Sequence, residues 1–82
     1  MNEHVDIRLA QQLVQCSLVR TATALAEAGP DSRHFERLCE ERNALIQKLR
    51  KTWNVPVVNL AMLADLPWES VYDILDGQGD PR

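Results

Sequence analysis

Three breaks divide an otherwise helical pattern, and they limit the folds open to this chain more than any other feature. They are Gly29-Pro30, Asn54-Val55-Pro56 and Asp65-Leu66-Pro67. Each pairs a residue that tolerates the left-handed conformation with a proline that cannot continue a helix from within. Between the breaks, apolar residues recur at steps of three and four. Ile7, Ala10, Val14, Leu18, Ala22 and Leu25 form one stripe over residues 4–28, and Leu9, Leu13 and Cys16 widen it. Phe35, Leu38, Arg42, Leu45, Leu49 and Thr52 or Trp53 form a second stripe over 32–53, with Cys39 and Ile46 beside it. This periodicity predicts amphipathic helices. Arg42 interrupts the second seam, and its stem is expected to pack while its head reaches solvent or an acid.

The breaks predict how the helices end and begin. Gly29 caps the first helix, and Asp31 or Ser32 caps the second at its N-terminus. The second helix ends at Asn54. Pro56 opens a third helix of about 56–64, and Pro67 opens a fourth of about 67–76, which Gly77 terminates. A connection of two to four residues after the first helix makes the first pair antiparallel. The predicted fold is therefore all-α, a long antiparallel helical hairpin followed by a compact helix-turn-helix. A chain of 82 residues is one domain, with the hairpin at 4–53, the helix pair at 54–77 and a flexible tail at 78–82. So small a chain buries little surface alone. The hairpin stripes are also wider than one hairpin can cover, so a second copy or the C-terminal helices must cover the rest, and a homodimer joined through the hairpin is expected.

Charge is unevenly placed. The net charge is −3. Residues 33–51 carry six basic side chains against three acids, whereas residues 52–81 carry five acids and no base. A bipolar chain of this kind can offer an acidic face to a basic partner.

Residues 41–77, ERNALIQKLRKTWNVPVVNLAMLADLPWESVYDILDG, resemble the helix-turn-helix segment of small bacterial regulators. Those proteins follow a basic helix with the pattern x-x-L-A-x-x-x-G and then L-S-x-x-x-V-x-x-I-L-x-G. Leu60-Ala61 match the L-A pair, Asp65 holds the turn position, Leu66 follows it, and Val71, Ile74 and Leu75 match the inward face of the last helix. The resemblance implies a dimeric, DNA-associated transcriptional regulator. Its fourth helix would enter the major groove with Trp68, Glu69, Tyr72 and Asp73 facing bases, and Lys48, Arg50 and Lys51 would hold phosphates. The chain departs from the pattern at four places. Asn54 and Asp65 replace glycines, Pro67 replaces a capping Ser, and the outward face of the last helix has no cation. A carboxylate can accept a hydrogen bond from cytosine N4, but phosphate contact needs Lys or Arg. The alternative is a helix-turn-helix scaffold used for protein binding. Asp65, Trp68, Glu69, Tyr72, Asp73 and Asp76 would then dock a basic, nucleic-acid-binding partner.

Other chemistry finds little support. His4, His34, Cys16 and Cys39 match no metal-ligand spacing, and no cofactor is implied. The two cysteines are expected at heights differing by roughly 7 Å on the hairpin, too far for an easy disulfide, as small core or near-core residues. No nucleophile has a positioned base, no Gly-rich phosphate loop is present, and the chain is too small to enclose a substrate, so no enzyme is expected. With no apolar run long enough to span a bilayer and no signal peptide visible, the expected location is the cytoplasm.

Overall fold

The structure, a computed structural model, describes residues 3–76, with side chains from Arg8 onward. Four helices make up its regular structure: α1 (Glu3–Ala28), α2 (Phe35–Trp53), α3 (Val57–Ala64) and α4 (Trp68–Leu75). The expected all-α architecture is observed, a long hairpin followed by a compact helix-turn-helix. Expectations about Gly77 and the 78–82 tail lie outside the described residues. No described helix is long and apolar enough to cross a membrane.

The three breaks act through backbone conformation. Gly29 (φ 78°), Asn54 (φ 54°) and Asp65 (φ 57°) all adopt the left-handed region. At Asp65 the geometry is a Schellman closure, in which the Asp65 amide donates to the Met62 carbonyl (3.3 Å) and the Leu66 amide to the Ala61 carbonyl (3.0 Å). Carbonyls that the ending helix would leave open are thereby satisfied, and Leu66 is folded back onto the core. At Asn54 the amide donates to the Arg50 carbonyl (2.9 Å), and the Val55 amide reaches the Leu49 carbonyl (3.4 Å). Pro56 and Pro67 stand one residue outside their helices, not in the first turn as expected. Both are extended, and their carbonyls accept from Leu60 (3.0 Å) and Ser70 (3.1 Å).

The link between α1 and α2 differs from expectation. It spans residues 29–34 and so is longer than two to four residues. Neither Asp31 nor Ser32 caps α2. The Ser32 hydroxyl instead accepts from the His34 amide (3.1 Å) within the link, while the Ser32 amide donates to the Gly29 carbonyl (3.2 Å). A short polar side chain in a turn finds its local backbone partner first, and the helix begins three residues later.

One cluster unites the four helices. Leu18 from α1, Ile46 and Leu49 from α2, Val55 from the turn, Leu60 and Ala64 from α3, and Val71 and Ile74 from α4 are buried together. Leu18, Ile46, Leu49, Leu60 and Val71 are fully enclosed, each contributing about 1.5–3 kcal/mol by leaving water. The Gln47 side-chain amide donates to the Ile74 carbonyl (3.0 Å) and ties the end of α4 to α2. α3 lies against both long helices, and the α4 backbone packs close to α2 and α3 but not to α1.

That arrangement corrects the reading of α1. Val14, Leu18, Ala22 and Leu25 face inward, but Leu9, Ala10, Leu13 and Cys16 are exposed. α3 reaches α1 only from about Gln15 onward, so the outer side around Leu9 and Leu13 meets no other described helix. Cys16 is a surface residue, while Cys39 is half-buried, and both are free thiols. Arg42 is half-buried as expected, but its guanidinium donates to the Asn43 side-chain oxygen (3.1 Å) and not to an acid.

Candidate interaction surface

The α4 helix is two-sided. Val71 and Ile74 point into the core, and Leu75 is half-buried beside them. Steps of one, three and four put Trp68, Glu69, Tyr72, Asp73 and Asp76 together on the opposite side, where all five are exposed. The aromatic pair is ordered. The Trp68 and Tyr72 rings meet edge to face with centroids 5.8 Å apart and planes at 89°, an arrangement that suits their quadrupoles. Trp68 remains 56% exposed and Tyr72 48% exposed. Trp68 thus leans on Tyr72 of its own helix while more than half of it stays in water. Two large aromatic faces kept in water beside Glu69 and Asp73 form an apolar platform with an acidic border. α4 itself contributes no cation.

The six sequence-predicted partner residues are not all equivalent. Asp65 is exposed, but it turns toward α1 and lines a groove with Val19, Thr23, Glu27 and Met62. Asp76 follows the last turn of α4, and its amide donates to the Tyr72 carbonyl (2.9 Å).

The three cations assigned to phosphate separate. Lys48 and Lys51 are exposed on the outward side of α2. Arg50 is half-buried, and its guanidinium donates to the Val55 carbonyl (3.1 Å), bracing the turn between α2 and α3. That carbonyl belongs to a residue whose side chain is only 3% exposed, so the bond satisfies an acceptor at the edge of the core. The structure therefore brings the α4 residues together and removes Arg50 from the outward-facing cations.

A second exposed feature was read from sequence only in part, as the excess width of the α1 stripe at Leu9 and Leu13, without Val19, Val58 or Met62. Val58 and Met62 project from α3, and Leu9, Leu13 and Val19 project from α1. The α3 sequence VVNLAMLA is apolar around nearly its whole circumference, yet it is buried only at Leu60 and Ala64. That excess of apolar positions was the available signal. An eight-residue helix resting on a hairpin cannot bury every side at once.

The chain matches no family model, and neither a curated protein nor a solved structure matches it.

Proposed function

We propose that this chain is a helix-turn-helix scaffold serving as an acidic protein-interaction module, with the outward face of α4 as its docking surface. The observation that carries the reading is the exposed Trp68–Tyr72 pair with Glu69 and Asp73 around it. Aromatic side chains are rigid and bury large areas at modest entropic cost, which makes them effective anchors in interfaces. The carboxylates select a partner of opposite sign and reject acidic ones. A duplex is unfavourable on this face, because phosphates would meet the carboxylates of a helix that carries no cation of its own. The partner that fits is a basic surface, such as the nucleic-acid-binding face of another protein, which α4 would then occlude.

A second reading is favoured by Lys48 and Lys51, and by the Schellman turn that joins α3 to α4. In it the chain is a DNA-associated transcriptional regulator. Two copies would present four outward lysines, and α4 would sit in the major groove with Trp68, Glu69, Tyr72 and Asp73 at base edges. Four phosphate contacts give a log–log salt slope of roughly −3.6, shallow for a specific duplex binder.

The two readings separate in one titration series. Fluorescence anisotropy would be followed with a Lys/Arg-rich helical peptide and with a random-sequence duplex, from about 50 mM salt upward. The interaction-module reading predicts peptide binding that Trp68→Ala weakens at least tenfold or so, and no duplex binding. Duplex binding that decays with salt and disappears in Lys48→Ala/Lys51→Ala overturns it in favour of the regulator. Arg50→Ala is a poor probe of phosphate contact, because it also removes the brace on Val55.

A further inference from the structure

The outer side of α1 carries a second pattern that the core does not use. Leu9, Cys16 and Thr23 repeat every seven residues, and Gln12, Val19 and Ala26 repeat every seven between them. All six are exposed, and none is charged. A seam of this kind, alternating steps of three and four, is what a helix offers to another helix packed along it. The two halves of the seam have different shapes. In the first half Leu9 stands out at 52% exposure, with Leu13 at 67% on the flank beside it. In the second half the surface is hollow. A groove of about 640 Å³ runs between α1 and α3, with Val19, Ala22, Ala26, Met62 and Leu63 along its length.

We infer that this face binds a second copy of the chain, with the two α1 helices crossing antiparallel near Ser17 and Leu18. The occupant follows from shape. Antiparallel pairing lays the protruding half of each seam over the hollow half of the other. Leu9 then lies over the partner's Ala26, Gln12 over the partner's Thr23, and Cys16 beside the partner's Val19. Bulky residues meet small ones, and the two uncharged polar residues meet each other. On the flank shared with α3, Arg8 comes alongside the partner's Asp65 at the acidic end of the groove, where Glu27 also lies. Parallel pairing would set leucine on leucine and groove on groove, leaving an unfilled space whose lining loses its packing contacts.

Size sets the strength. From Leu9 to Ala26 the seam runs about 26 Å and is about 10 Å wide. Even with Met62 added, that falls below the roughly 800 Å² per partner of a standard interface, so self-association belongs in the micromolar range. The inference does not depend on what α4 binds, since the two faces lie on different helices whose backbones do not approach each other.

Analytical ultracentrifugation of the full chain from about 5 to 500 µM tests it. A reversible dimer is expected. Val19→Glu should weaken association by roughly a hundredfold, because each dimer would hold two carboxylates within its seam. Cys16→Glu, at an exposed position, should weaken association by roughly tenfold or more while keeping wild-type helicity by circular dichroism. Orientation is read by cross-linking in a Cys16→Ser/Cys39→Ser background. Leu9→Cys/Ala26→Cys should form a covalent dimer on mild oxidation, whereas Leu9→Cys alone should remain monomeric. The two introduced thiols lie about 26 Å apart within one chain, so any bond must join two chains. A wild-type chain that stays monomeric throughout the range, or a dimer indifferent to both Glu variants, overturns the inference. Ready cross-linking of Leu9→Cys alone also overturns it, by showing a parallel pair.

Discussion

The longest helix and one of the two shortest divide their apolar residues in opposite ways. α4 has eight residues and sorts them cleanly, with Val71 and Ile74 inside and the acids and rings outside. α1 has 26 residues, yet among its described side chains only Leu18, Thr21, Ala22 and Leu25 are buried. Apolar residues remain on both of its sides. A sorted helix reports that the fold alone satisfies its inward face, and its outward face is then free to carry chemistry. An unsorted helix reports that its own chain does not supply enough cover. The difference follows from leverage. α4 is held by a Schellman turn at one end and by the Gln47–Ile74 bond near the other, so its orientation is fixed. α1 extends past the small core, and the first half of its outer side meets no other described helix.

The largest effect should appear where the comparison can be broken outright. Ile74→Asp places a carboxylate in the shared core, where burying an unpaired charge costs several kcal/mol. For a domain whose total stability is on the order of 5 kcal/mol, that unfolds the α3–α4 unit. Far-ultraviolet circular dichroism should show lost helicity without denaturant. Retained wild-type helicity and melting temperature would mean that α4 is not anchored as described. Leu18→Ala makes the matching test in α1. It removes a fully buried side chain and should cost about 2–5 kcal/mol in urea unfolding.

Next in size is the turn that orients α4. Asp65 has φ 57°, a conformation that a β-branched residue adopts only with strain. Asp65→Val should therefore cost about 1–2 kcal/mol, while Asp65→Gly should be close to neutral. Equal effects of Val and Gly on the urea midpoint would show that the left-handed turn is not what holds α3 against α4. Smaller still is Gln47→Ala. Loss of the bond to the Ile74 carbonyl should cost about 1 kcal/mol and raise hydrogen exchange at the end of α4 more than in α1.

How much of this was visible in the sequence varies with the kind of signal. The turns at Asn54 and Asp65 were legible because few residues tolerate a positive φ, so residue type points directly to conformation. The inward faces of α2 and α4 were legible because polar residues alternate with apolar ones at helical spacing. The outer side of α1 was misread. Leu9, Leu13 and Cys16 are apolar, and periodicity alone does not distinguish a wide core stripe from two separate seams. Separating them needs the position of α3, which depends on packing across the whole chain. The bracing role of Arg50 was missed for a related reason. Its neighbours Lys48 and Lys51 face solvent, but the helical step turns Arg50 toward the Val55 carbonyl. Composition counts a cation without showing where its donors point. On α4, by contrast, the outward set Trp68, Glu69, Tyr72 and Asp73 followed directly from spacing, because a short helix with two buried residues leaves only one direction for the rest.

The smallest expected change is the sharpest test of the contrast within α1. Leu13→Gln removes an exposed leucine from the outer side, only five residues before the enclosed Leu18. If the outer side is free in the monomer, the substitution should shift stability by no more than about 0.5 kcal/mol at low micromolar protein. Leu→Gln in a buried stripe would instead leave an unsatisfied amide and cost several times as much. The measurement therefore separates a second seam from an extension of the core without assuming any partner. Repeating it at a hundredfold higher protein concentration adds the linkage term. Association that stabilises the folded wild type should then open a gap between wild type and variant that grows with concentration. A constant, near-zero gap would leave the core described here intact, but would remove Leu13 from whatever covers α1.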